Sequence, residues 1–134
     1  MKNVCLLSLL FLATACQFDA AVTPSKDCPF CGNWTYQTSE QLPTKDYATV
    51  YQRTPDLLPN RYGIRFLPNG RLTERQNSGW CGTPPITTED YDGAWQQRGD
   101  SLYITVGYWG GKTSSRIFVL SADSNTLKIK RVYR

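Results

Sequence analysis

From Asn33 onward, apolar residues recur at every second position in short runs separated by turn clusters, and no window holds a helical period. Trp34-Thr35-Tyr36 opens the first run after Gly32, and Thr49-Val50-Tyr51-Gln52 is a weaker second, inside a connection rich in Pro and Asp. Tyr62, Ile64 and Phe66 then share one face, with Arg61 and Arg65 on the other. Pro68-Asn69-Gly70 turns the chain, because Asn and Gly both tolerate positive φ. The return run, Arg71 to Asn77, puts Leu72, Glu74 and Gln76 on one face. Next, Tyr91, Gly93, Trp95 and Gln97 alternate, Arg98-Gly99-Asp100 turns, and Leu102, Ile104 and Val106 alternate in their turn. Tyr108-Trp109-Gly110-Gly111-Lys112 is a further tip, followed by Ser115, Ile117 and Val119. After Ala122-Asp123-Ser124-Asn125, the last run places Leu127, Ile129, Arg131 and Tyr133 together. The pattern predicts a small all-β domain of about eight antiparallel strands joined mostly by hairpins. An open sheet of that size would leave edges and an uncovered apolar face, so an up-and-down barrel is expected.

Upstream the pattern is of another kind. Met1-Lys2-Asn3 is a short basic start, and Val4 to Ala15 is an apolar run. It falls short of the roughly 20 residues that cross a bilayer and suits the core of a secretory signal, assigned to residues 1–15. Ala13-Thr14-Ala15 directly before Cys16 resembles the lipobox of bacterial lipoproteins, in which the cysteine is diacylated and becomes the new N-terminus. The same small residues suit an ordinary signal peptidase, and both readings cut the same bond. The short signal, the cysteine and the polar linker together favour lipidation, with palmitate-type chains on Cys16. Two such chains anchor stably where one does not. Residues 16–30 then form the lipidated N-terminus and a flexible linker, and residues 31–134 the barrel domain. The implied location is the bacterial envelope, at the outer membrane, with the domain facing the periplasm or the surface.

Composition narrows the chemistry. The 134 residues contain no histidine, which removes Ser–His–Asp triads, Cys–His pairs, His-ligated zinc and His proton shuttles. With 15 Lys+Arg against 11 Asp+Glu, the net charge of +4 is scattered and forms no basic stripe, so no nucleic-acid partner is expected. No catalytic constellation, metal site or cofactor motif stands out, and a non-enzymatic monomer is expected.

Cys28-Pro29-Phe30-Cys31 has the spacing of a redox motif but precedes a strand, without the helix N-terminus that stabilises a thiolate. A zinc site would have three cysteines, Cys28, Cys31 and Cys81, and no fourth ligand. In a small extracytoplasmic domain a structural disulfide is the plainer reading, with Cys81 bonded to either Cys28 or Cys31. Arg98-Gly99-Asp100 spells a cell-adhesion tripeptide, but its residues are ordinary hairpin residues. Glu74 shares a face with Leu72 and is expected to point inward, in an ion pair with Arg131 or Arg116. The loop at residues 78–86 combines Gly, a proline pair, Trp80 and Cys81, and reads either as a binding rim or as a plug packed over one barrel end.

Gly32-Asn33-Trp34 at the first strand, the hairpin meander and a basic residue in the last strand resemble the lipocalin-like superfamily. With the signal and linker, the chain is most similar to small bacterial lipoproteins carrying lipocalin-like domains. The resemblance implies a barrel floor in which the Arg131 guanidinium packs across the Trp34 indole, with the first and last strands paired. It also implies a carrier of a small apolar or amphipathic ligand, and Trp80, Tyr91, Trp95, Tyr108 and Trp109 are the candidate rim. The alternative is a solid-cored module that docks an envelope protein or polysaccharide through the 78–86 loop. Cavity volume separates the two.

Overall fold

Eight strands form where the alternation places them: β1 (Gly32–Gln41), β2 (Tyr47–Thr54), β3 (Gly63–Phe66), β4 (Arg71–Asn77), β5 (Thr88–Arg98), β6 (Ser101–Tyr108), β7 (Gly111–Ala122) and β8 (Thr126–Tyr133). The structure, a computed structural model, describes residues 28–79, 84–85 and 87–133. The expected signal segment, residues 1–15, and Cys16, Trp80 and Cys81 lie outside the described residues. All pairings are antiparallel and the sheet closes into a barrel, compatible with a lipocalin-like one. Closure leaves no strand edge unpaired.

From β3 to β8 the chain is a simple up-and-down meander. The first hairpin enters in reverse: β1 lies between β2 and β3, and β2 is the neighbour of β8. The first and last strands therefore do not pair, contrary to the expectation from the sequence. The segment from β2 to β3 must cross β1, and it does so on the outer face. Asn33 and Thr35 alternate with the inward Trp34 and so face outward, yet both are buried. The strap covers them. The Asn33 amide donates to the Pro55 carbonyl at 2.8 Å, and Leu57 is buried beneath the strap. Two outward arginines hold it: Arg65 bonds Asp56, and Arg75 donates to the Leu57 carbonyl at 2.8 Å while gripping Asp90 at 2.6 and 2.8 Å. Gly63 is required under this strap, because a Cβ there would lie 2.7 Å from the Trp34 carbonyl oxygen and 3.0 Å from Leu57.

The interior is filled over most of its height. Ile64, Phe66, Leu72, Leu102, Ile104, Val106, Ile117, Leu127 and Ile129 are all but fully buried. β1, β4, β6 and β8 climb from one end, the floor; β2, β3, β5 and β7 descend to it. Residues 28–31 and the β3–β4, β5–β6 and β7–β8 turns thus sit at the floor. The β1–β2 and β6–β7 turns, the ends of β4 and β8 and the start of β5 form the opposite end, the mouth.

Candidate functional site: the barrel mouth

The floor fixes the geometry above it. Cys28 and Cys31 form a disulfide and are both buried. It closes a tight turn, with the Cys31 amide bonded to the Cys28 carbonyl at 3.1 Å, and this turn drives Phe30 into the barrel end. The Phe30 ring meets Phe66 edge-on at 5.4 Å and Trp95 at 5.2 Å. Trp34 is wholly buried and donates its Nε1–H to the Phe30 carbonyl at 2.7 Å.

Three expectations change here. The guanidinium over Trp34 belongs to Arg53, 4.0 Å above the ring, and not to Arg131. Trp34 and Arg53 are register partners on β1 and β2, whereas Arg131 stands five residues up β8 from the floor, roughly 16 Å at 3.3 Å per residue. Arg53 also donates to the Ser124 carbonyl at 2.7 Å and the Cys31 carbonyl at 3.0 Å, so it ties the last turn to the first. The disulfide joins Cys28 to Cys31 and leaves neither for Cys81. The described residues flanking Cys81 belong to the mouth end, a barrel length from that turn. Trp95 is a floor residue, not a rim residue: β5 starts at the mouth, and seven residues of descent bring its Nε1–H to the Leu67 carbonyl at 2.9 Å.

At mid-height the inward faces of β4 and β8 meet. Glu74 takes Arg131 at 2.7 Å as its partner, one of the two expected from the sequence; Arg116 lies outside, against Tyr103, Phe118 and the Ser101 hydroxyl. Gln76 donates to the second Glu74 oxygen at 3.0 Å. Burial opposes the charge on Arg131, but Glu74, with Tyr51 and Tyr133, more than offsets it and holds the guanidinium protonated beyond its ordinary range. Burial likewise pushes the Tyr51 phenol well above its ordinary value, so it stays neutral. This polar layer separates the apolar interior below from what lies above.

Above it the barrel opens into a cavity of about 300 Å³. Gln76 and Asn77 border it from β4, Lys112 and Thr113 from β7, and Arg131 and Tyr133 from β8, with Tyr108 and Trp109 at the β6–β7 tip. The last two meet edge-on at 5.9 Å, and Trp109 is 53% exposed. Of the candidate rim, Tyr108 and Trp109 line this cavity. Tyr91 stands near the mouth end of β5, packed on the core with its hydroxyl 3.4 Å from Glu89. Gln76, Thr113, Lys112 and Tyr133 were not singled out from sequence; the shared face of Arg131 and Tyr133 was the signal that could have found the last. Two buried nitrogens, Arg53 Nη2 and Arg131 Nη2, have no hydrogen-bond partner among the described residues. The first is stacked on an indole, and the second belongs to a side chain that borders the cavity. A depression of about 360 Å³ on the β5–β7 wall is lined by short side chains such as Ala94, Thr105 and Ser114 together with the longer Gln96, Arg98 and Tyr103.

Comparison with protein families, with curated proteins and with solved structures finds no match to this chain.

Proposed function

We propose that this chain is a lipid-anchored, non-enzymatic protein of the bacterial envelope whose barrel mouth binds a small amphipathic ligand. It would be a small lipoprotein with a lipocalin-like domain. The observation that carries the reading is the 300 Å³ cavity above a filled interior. It lies at the lower end of the range for small-molecule sites and mixes aromatic surface with a few polar groups, as such sites do. The docking alternative needs no concavity, so the cavity favours a ligand. Glu74, the carboxylate beneath the cavity, is taken up by Arg131 and Gln76, which favours binding over acid–base catalysis there.

The anchor rests on Ala15-Cys16 after the apolar run. The described chain enters the barrel at the floor, so an anchor at Cys16 would tether the barrel from its floor end. Two experiments test the reading. Cys16→Ala should abolish palmitate labelling and release the protein from the membrane fraction; unchanged labelling and partitioning would refute the anchor. Native mass spectrometry of the protein drawn from its host envelope in mild detergent should show a non-covalent adduct of small mass. Thr113→Trp, which fills the mouth, should remove it. An adduct that survives Thr113→Trp would place the ligand elsewhere.

A further inference from the structure

We propose that the ligand of the mouth is a compact organic anion, its carboxylate or sulfonate set against Arg131 and Lys112 and its flat apolar part against Trp109 and Tyr108. The inference rests on the reading that the mouth binds a small ligand, and adds the charge and size of what it takes.

The charge follows from two cations at one cavity. Arg131 is held protonated by Glu74, but the pair uses Nη1, and Nη2 is enclosed with no acceptor among the described residues. A buried N–H without a partner is costly, and a charged acceptor gives it the strongest bond available. Lys112, at the start of the neighbouring strand β7, has no ion pair among the described residues. Two cationic side chains, Arg131 and Lys112, therefore border the cavity, while the buried carboxylate of Glu74 beneath it is already engaged. A cationic ligand would meet both at close range.

The size follows from the packing. The cavity equals about ten waters at roughly 30 Å³ each. Below Arg131 the barrel is closed by Tyr51, Ile64, Ile104 and Ile129, so a long acyl chain has no path inward. A one- or two-ring acid fits. Trp109, more than half exposed at a Gly-Gly tip, supplies an aromatic face for the ring.

The test is calorimetric titration of the folded barrel domain within the full mature chain, using 2-naphthoate and its neutral twin 2-naphthamide at pH 7. Naphthoate should bind at least about tenfold tighter than the amide, with affinity falling as salt rises. Lys112→Gln, a surface change, should weaken naphthoate several-fold and leave the amide unchanged. Arg131→Met combined with Glu74→Leu removes the ion pair as a unit and should erase the preference, with circular dichroism verifying the fold. Equal affinity for the two compounds would overturn the anion assignment and leave the small-ligand reading standing. Failure of both to bind would overturn both. Should the double variant fail to fold, Lys112→Gln and the salt dependence decide: a naphthoate affinity insensitive to both contradicts the proposal.

Discussion

At the floor, Phe30 and Trp95 meet edge-on, Trp34 lies under Arg53, and both indole N–H groups are bonded to backbone carbonyls. At the mouth, Tyr108 and Trp109 touch each other and border open space. Each end also carries an inward arginine. Arg53 is covered by an indole and bonded to carbonyls from both chain ends, whereas Arg131 is balanced by one carboxylate and borders a cavity. The same residue types thus build a plug at one end and a receptive surface at the other. What distinguishes them is whether the chain itself covers the arginine and the rings.

Substitutions should separate the two ends by what they damage. Trp34→Ala empties the floor of its largest buried ring and should cost about 3–5 kcal/mol in denaturant unfolding. A loss below about 1 kcal/mol would mean the floor is not the structural end. Glu74→Ala leaves the Arg131 charge buried without a partner. Its cost should fall at the low end of about 3–5 kcal/mol, because Arg131 borders the mouth and can reach water. Joint replacement by Leu and Met should recover most of that. Arg53→Ala removes one cation–π contact and two hydrogen bonds to carbonyls, about 2 kcal/mol together. Trp109→Ala should leave the unfolding midpoint within about 0.5 kcal/mol of the parent while abolishing ligand binding.

Stability should be flat with pH between about 5 and 9, because no histidine titrates there. The hydrogen bonds and charge of Arg75 hold Asp90 below the usual carboxylate range, so its contribution is present above an unfolded value near 4 and is lost as pH falls through the folded one. Tyr51 is raised by burial, so stability should also fall once pH climbs past an unfolded value of about 10. A thermal midpoint that moves between pH 6 and 8 would contradict this.

The strands were legible because alternation is a local signal: Leu72, Glu74 and Gln76, and likewise Leu127, Ile129, Arg131 and Tyr133, face inward as their spacing indicates. That narrowed the partner of Glu74 to Arg131 or Arg116, of which the structure has Arg131. Neighbour order was less accessible. A turn such as Asn69-Gly70 dictates which strand comes next, but nothing local states that the β1–β2 hairpin enters reversed, so Arg53 rather than Arg131 reached Trp34. The strap carrying Leu57 looked like a Pro-rich connection because its burial depends on β1 passing beneath it. Counting cysteines suggested a long-range bridge, whereas Cys28 and Cys31 were already within one turn of each other. The mouth was half visible: aromatic residues at the Tyr108-Trp109 tip could be read, but a cavity belongs to the spacing of walls, which no single strand encodes.

The most direct test of the mouth as the binding end is a nitrogen–proton correlation spectrum of the labelled protein titrated with 2-naphthoate. The Trp109 indole signal and the Lys112, Thr113 and Arg131 amides should move together and saturate, while the Trp34 and Trp95 indole signals stay in place. Movement of the two floor indoles with Trp109 unmoved would contradict the account.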